Sequence, residues 1–588
     1  MSNSRKDPPK TRTGAQCVTD FLKDAGCEVL FGYPGGAVLD IFDQLLLSPE
    51  IHFVLSRHEQ GAAHMADGYA RATGRCGFCL VTSGPGATNT VTGLATAAID
   101  GIPMICISGQ VPTSMIGNDA FQEADTVGIT RGATKHNYLV RDVDDLPRIL
   151  AEAIHIATTG KPGPVLIDIP KDIQQAKTTA RAPAKIEMRG YRPSYEGHPR
   201  MITRLAEAIN KAERPLLYVG GGVIASGTAD LLTAIARKGK LPVTTTLLGL
   251  GSFPETDPLA LRMLGMHGSV AANSAVAHCD LLISVGARFD DRVTGKVSEF
   301  AKQAKIAHID IDPAAIGKSV RTDIPVVGHL KPVLEELLPM IEERERPSWH
   351  AQLEEWKTKW PFGFITREGV IAAQYVVEQI YEQSDGKAIV CTDVGQHQMF
   401  AAQFFKYTEP RTFLSSGGLG TMGYGMPAAI GAQFGARDDL VVCIAGDGGA
   451  QMNFQELVVS VEHGLATKFV ILNNGYLGMV RQWQELFYAK GYSGVAMTRT
   501  GRAPNERIPP YDGVGPVYLP DFVQLSEAHG AVARRIEKTE DVIPTLKEAF
   551  ASPKTWVMEF IVESEGNVLP MVPPGGTAAN IITSLAKK

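Results

Sequence analysis

Two short apolar runs, each ending in a turn that carries one oxygen-bearing side chain, limit most what this chain can fold into. The first, Leu440-Val441-Val442-Cys443-Ile444-Ala445, leads into Gly446-Asp447-Gly448-Gly449. The second, Phe469-Val470-Ile471-Leu472, leads into Asn473-Asn474-Gly475, with Asn474 twenty-seven positions after Asp447. Runs this short and apolar read as buried parallel strands, and the glycines open the turns that follow. Parallel strands need covered faces and helical crossovers, so the pair predicts an α/β layer structure. An Asp and an Asn at the C-terminal ends of neighbouring strands offer two hard oxygen ligands. A small octahedral cation such as Mg²⁺ takes few protein oxygens and completes its shell with phosphate. The glycines let backbone N–H groups approach that phosphate closely.

The same alternation of strand, glycine turn and helix marks out three blocks, which suits 588 residues at about 150 residues per domain. The first covers 12–178. It holds Phe31-Gly32-Tyr33-Pro34-Gly35-Gly36, a strand at 53–55, a helix after Glu59, and a strand at 77–81 closing on Thr82-Ser83-Gly84-Pro85-Gly86. A polar Arg/Pro/Lys-rich stretch over 179–199 reads as a linker. The second block, 200–335, has strands at 216–219, 281–285 and 306–311. A further linker over 336–368 includes the charged run 342–346, read as a solvated helix end. The third block, 369–565, carries the Asp/Asn pair, and 566–588 forms a tail. The fold class is therefore α/β, with three doubly wound parallel-sheet domains.

Composition excludes several classes. A net charge of −6 argues against a nucleic-acid surface. No apolar run reaches the ~18 residues of a membrane span, and the basic first sixteen residues lack the apolar core of a signal peptide. Eight scattered cysteines in strand-like runs look like reduced cytosolic thiols, so a cytoplasmic location is expected. The one Cys-x-x-Cys, Cys76 to Cys79, runs into a strand, where its side chains face opposite ways.

The Asp447/Asn474 spacing resembles the diphosphate-binding signature of thiamin diphosphate (ThDP) enzymes. ThDP chemistry also needs one acid in a dry pocket to hydrogen-bond the pyrimidine N1′. Arg57-His58-Glu59-Gln60-Gly61 places an acid just after a strand, although a carboxylate in a first helical turn also compensates the dipole. Taken with Asp119-Ala120-Phe121-Gln122-Glu123, Gly265-Met266-His267-Gly268, Arg288-Phe289-Asp290-Asp291-Arg292, Val394-Gly395-Gln396-His397-Gln398, Gly420-Thr421-Met422-Gly423 and Arg481-Gln482-Trp483-Gln484, the chain resembles the catalytic large subunit of acetohydroxyacid (acetolactate) synthase over nearly its whole length.

That resemblance implies pyrimidine-binding, central FAD-binding and diphosphate-binding domains, in that order. It implies that pyruvate is decarboxylated and joined to a second pyruvate or to 2-ketobutyrate, the first common step toward valine, leucine and isoleucine. Glu59, Met422, Gln122 and Lys171 would be catalytic. ThDP would be held by Glu59, Gln396, His397, Gly420, Thr421, Met422, Gly448, Gly449 and Met479. Mg²⁺ would be held by Asp447, Asn474 and the main-chain oxygen of Tyr476. Substrate would be selected by Phe121, Gln122, Lys171, Met266, Arg292 and Trp483. FAD, in a non-redox role, would lie along Lys161, Gly221, Gly222, Thr246, Leu247, Met266, His267, Gly286, Arg288, Asp290, Asp310 and Ile311. The resemblance further implies a homodimer or homotetramer, with ThDP bridging two blocks at a subunit interface, and a small regulatory subunit.

Three departures stand out. Lys161 replaces an Arg, His329 follows Gly328 where an acid is common, and 494–519 separates Ser493 from Pro520-Asp521-Phe522 by more than the family usually does. Pyruvate oxidase, pyruvate decarboxylase and the flavin-free catabolic acetolactate synthase share the diphosphate signature. The 288–295 segment and Trp483 argue against them. Retention of Glu59 with both metal ligands argues against a binding protein without turnover.

Overall fold

A computed structural model describes residues 11–497 and 519–583. They form two compact units: residues through Arg192 with 418–421 and 430–435, and the remainder. The first unit is built on a six-stranded sheet, in spatial order His52–Leu55, Val29–Tyr33, Gly77–Val81, Met104–Gln110, Pro164–Pro170 and His136–Leu139. Every neighbouring pair in it is parallel. Strand direction reverses its march across the sheet between Val29–Tyr33 and Gly77–Val81, and ligands of such sheets bind in the crevice at that point. Here the crevice is made by Pro34-Gly35-Gly36 and Thr82-Ser83-Gly84. A Cβ on Gly35 would sit 2.5 Å from the Thr82 side chain, so only glycine lets the two turns close.

The second unit contains two more such sheets. One runs Ala260–Met263, Val243–Thr245, Pro215–Val219, Leu281–Val285, Lys305–Asp310 and Ile324–Val327. The other runs Phe413–Leu414, Ile389–Thr392, Val441–Gly446, Lys468–Asn473, Trp556–Ile561 and Val532–Ile536. All their pairs are parallel as well. Their reversal points fall between Pro215–Val219 and Leu281–Val285, and between Ile389–Thr392 and Val441–Gly446. The strands flanking these points are buried residue for residue, as the apolar runs demand. The three doubly wound α/β domains expected from the sequence are present.

At the middle reversal point, Gly222 N–H donates to the Gly286 carbonyl at 3.0 Å, and a Cβ on Gly222 would lie 2.8 Å from Gly286 Cα. Gly222→Ala is therefore expected to lower stability by about 1–3 kcal/mol through overpacking. Denaturant unfolding of the ligand-free protein checks this; an unchanged midpoint would show that the crevice accommodates the methyl group.

The charged run 342–346 differs from its expectation. Its three glutamates are exposed, but Arg346 is 3% exposed and donates to the carbonyls of Ile209 (2.9 Å), Ala212 (2.8 Å) and Gly239 (2.9 Å). These oxygens close the ends of the helices Pro199–Lys211 and Ala229–Gly239. One planar guanidinium satisfies orphan carbonyls from both, so it is buried rather than solvated. All eight cysteines are buried.

Candidate active site

Asp447 opens a short helical turn straight after Val441–Gly446, and Asn474 follows Lys468–Asn473 directly. Both border one cavity, with Gln396, His397, Met422, Tyr476, Gly478 and Met479 also on its wall. Asp447 is 2% exposed; its Oδ1 accepts from Gly448 N (2.9 Å) and its Oδ2 from Gly475 N (2.8 Å). Burial pushes its pKa up to about 7 against those hydrogen bonds. A divalent cation would offset that cost, because it is the largest local charge wherever it binds. Asn474 Oδ1 accepts from Tyr476 N at 3.0 Å, and its amide donates to Gln396 Oε1 at 3.3 Å. Among the described residues no group of three or more His, Cys, Asp or Glu side chains could hold a metal. A cation at Asp447 would thus draw on amide, main-chain and phosphate oxygens, which is the Mg²⁺ pattern.

The cavity suits a diphosphate. The helices Gln396–Phe404 and Gly478–Phe487 both present their N-termini to it, where backbone N–H groups and the helix dipole favour an anion. His397 is buried, its pKa lowered to about 4 by burial, and its Nε2 has no partner among the described residues. The other ring nitrogen donates to the Asp393 main-chain oxygen, so Nε2 of the neutral ring is an acceptor and would donate to an anion only once protonated, a charge that a bound diphosphate favours. Gly448 keeps the floor clear: a Cβ would lie 2.6 Å from Leu477 and 3.7 Å from the Met422 methyl. The residues present fit ThDP and Mg²⁺.

Met422 enters this cavity from the loop ahead of the helix Gly425–Gly435, whose backbone is unusual: Gly420 has φ 70° and Gly423 φ 87°. Thr421, which belongs to the first unit, exchanges a 2.8 Å hydroxyl hydrogen bond with Thr96 of the same unit.

Glu59 is the first residue of the helix Glu59–Thr73, capped by His58 Nδ1 accepting from Gln60 N at 3.1 Å. Its Oε2 accepts from Asn89 Nδ2 at 2.9 Å. Its Oε1 faces Gly86, where a Cβ would come within 3.6 Å. Gln122 has φ 59° and packs its backbone against Gly84, itself at φ 59°. A non-glycine residue held in the left-handed region marks a segment whose surroundings over-determine it. Phe121 is 88% exposed beside it. Lys171 starts the helix Lys171–Gln175 and donates to the Gly36 carbonyl at 3.0 Å. Lys161 is exposed.

In the second unit, Arg292 lies over the Trp483 ring, 5.5 Å from its centroid, and Phe487 meets the indole edge-on at 5.9 Å. Met266 N–H donates to the Arg292 carbonyl at 2.8 Å, and its own carbonyl accepts from Val572 N at 2.8 Å. The structure thus links Met266 to Arg292 and Arg292 to Trp483, although Trp483 lies 191 positions after Arg292 in sequence.

The expected dinucleotide residues also converge. Gly221 and Gly222 follow Pro215–Val219, and Gly286 and Arg288 follow Leu281–Val285. Thr246 and Leu247 follow Val243–Thr245, while Asp310 and Ile311 end Lys305–Asp310. All sit at the C-terminal edge of one parallel sheet. Arg288 donates to Asp290 at 3.0 Å, and Asp290 caps the next turn by accepting from Arg292 N at 2.8 Å. His267 is buried with Nδ1 unpartnered among the described residues, and burial lowers its pKa to about 4. The glycine-lined crevice and this orphan nitrogen fit FAD. His329 has a structural reason: its Nδ1 accepts from Lys331 N at 3.2 Å and caps the helix Leu330–Met340.

Of the long segment 494–519, residues 498–518 lie outside the described residues. Its root pairs with the turn that follows Asn474: Leu477 N donates to Val495 O at 2.8 Å and Met497 N to Gly475 O at 2.9 Å. Residue patterns do not point to Asn89, Asp168, Asp393 or Asn453. Asp168 is buried, accepts from Ser108 (2.7 Å) and Gln110 (2.9 Å), and burial raises its pKa to about 7. Gln110 in turn donates to Ala124 O at 2.9 Å, bracing the Gln122 segment. A lone Asp in an apolar strand was the available signal.

Comparison with known proteins agrees with this geometry. Three family models match in sequence: Thiamine pyrophosphate enzyme, N-terminal TPP binding domain (12–129), central domain (202–337) and C-terminal TPP binding domain (393–560). The chain is 46% identical to an acetolactate synthase large subunit of Corynebacterium glutamicum, over 99% of this chain and 91% of that protein. It is 44% identical to an acetolactate synthase large subunit of Haemophilus influenzae, over 98% and 99%. It is 45% identical to a chloroplastic acetolactate synthase of Arabidopsis thaliana, over 99% and 86%. The chain belongs to the acetolactate synthase large-subunit family of thiamine pyrophosphate enzymes.

Proposed function

We propose that this protein catalyses ThDP-dependent acetolactate synthesis: it decarboxylates pyruvate and joins the remaining two-carbon unit to a second 2-ketoacid, pyruvate or 2-ketobutyrate, in branched-chain amino acid biosynthesis. The observation that carries the reading is the Asp447/Asn474 cavity with its paired helix N-termini and unpartnered His397 nitrogen. Bound ThDP supplies the carbon nucleophile and the electron sink. In this reading Asp447, Asn474 and the Tyr476 carbonyl hold Mg²⁺, while Gln396, His397, Gly448, Gly449 and Met479 line the diphosphate end. Met422, with Gly420 and Thr421 on its approach, would support the cofactor, and Glu59 would hold and share the proton at the pyrimidine N1′. Gln122 and Lys171 meet substrate, and Arg292 binds the acceptor carboxylate against Trp483.

FAD along the central crevice serves position rather than electron transfer, because carboligation involves no net oxidation. In this reading the enzyme works in the cytoplasm as a homodimer or homotetramer with a small regulatory subunit. No helix among the described residues is long and apolar enough to cross a membrane.

The test is direct: purified protein with pyruvate, ThDP and Mg²⁺ yields a product that gives acetoin on acidification. Absence of that product with cofactor bound would refute the reading. Mixed pyruvate and 2-ketobutyrate, with and without FAD, then reports selectivity. Trp483→Leu is expected to cut the ratio of acetohydroxybutyrate to acetolactate by about an order of magnitude. The smaller side chain forfeits part of the roughly 1–3 kcal/mol one methylene can supply, and Arg292 loses the ring it rests on. An unchanged ratio would place the indole outside the acceptor pocket.

A further inference from the structure

The loop that delivers Met422 is short, glycine-rich and has no regular structure of its own, so something else must set where Met422 points. Asp393, at the end of Ile389–Thr392, is fully buried at 0% exposure. Its Oδ2 accepts from Gly423 N at 2.9 Å and from Gly425 N at 3.0 Å, and its Oδ1 accepts from Val394 N at 2.8 Å. The carbonyl of Gly423 is held from the other side by Asn453 Nδ2 at 2.7 Å. Both polar groups of the residue after Met422 are thus fixed by buried side chains. The same aspartate reaches the rest of the site: its main-chain oxygen accepts from the His397 ring, and Gly449 is packed so closely on Oδ1 that no Cβ fits.

We propose that Asp393, assisted by Asn453, is a positioning residue that sets the posture of Met422 beneath the cofactor and couples it to the diphosphate cradle. This rests on the ThDP reading above. The carboxylate makes no contact that would bind the cofactor; it acts through the backbone beside Met422, while the residue's main-chain oxygen holds the His397 ring. Asparagine in its place must turn one amide N–H toward backbone donors, which opens the Gly423 end of the clamp. Misplacement of a supporting group by about 1 Å can cost roughly 100-fold in rate.

The experiment uses the full chain with ThDP and Mg²⁺, comparing parent, Asp393→Asn and Asn453→Ala. Cofactor affinity is read by fluorescence titration, and cofactor posture by deuterium exchange at C2 of bound ThDP after acid quench. The expected result is affinity close to the parent's with C2 exchange slowed roughly 100-fold in Asp393→Asn, and slowed less in Asn453→Ala. Parental exchange in either cofactor-bound variant would overturn the proposal, as would loss of affinity in proportion to loss of exchange. If Asp393→Asn does not fold, Asn453→Ala decides alone by the same criterion. Failure of the parent to bind ThDP would instead sink the functional reading, so the two failures are distinguishable.

Discussion

Glu59→Gln is expected to bind ThDP and Mg²⁺ nearly as the parent does and to turn over pyruvate roughly 10²–10⁴-fold more slowly, the range a positioned acid contributes. The structural motive is its setting. One carboxylate oxygen is tied to Asn89 and the other faces the space that Gly86 leaves open. Glutamine keeps the shape and the Asn89 contact but cannot share a proton with N1′. The diphosphate and metal contacts are untouched, so affinity and turnover should separate. Single-turnover kinetics with C2 exchange reads this, and near-parental exchange would remove Glu59 from the chemistry.

Asp447→Ala is expected to do the reverse, weakening ThDP binding by on the order of 100-fold or more, beyond the loss seen when residues supporting metal ligands are removed. Two effects add. In the proposed site the metal would lose its one carboxylate ligand, and the diphosphate its counter-charge. Gly448 N and Gly475 N also lose the acceptor that ties the two strand ends together. Titration at fixed high Mg²⁺ against titration at limiting Mg²⁺ isolates the metal term. Overlaying curves for variant and parent would show that Asp447 is not a ligand.

The parts legible in the sequence share one property: the signal and the structure it makes are local. Val441–Gly446 and Lys468–Asn473 fall within a residue of the apolar runs that announce them, because burial on both faces demands continuous apolar residues and the glycine turn must follow. Asp447 and Asn474 were readable for the same reason. Asp393 was not, since its partners are backbone amides thirty positions away, which have no signature in residue type. Arg346 was misread as solvated because a charged run normally is; only the carbonyls of two distant helix ends give it a reason to be buried. The resemblance puts Arg292 and Trp483 in one substrate set, but nothing in residue type or spacing shows that the guanidinium lies over the indole.

The strand order of the C-terminal sheet has a consequence for how the protein is made. Lys468–Asn473, which leads into Asn474, lies between Val441–Gly446 and Trp556–Ile561, and the latter is among the last strands to be synthesised. Gln396 beside the cavity also donates to Gly566 O at 2.8 Å. While the ribosome is still adding residues, the N-terminal unit has its sheet in hand, but the diphosphate cradle lacks a wall. The cavity therefore gains its last wall only when the segment through Gly566 has been made, long after the N-terminal sheet is complete.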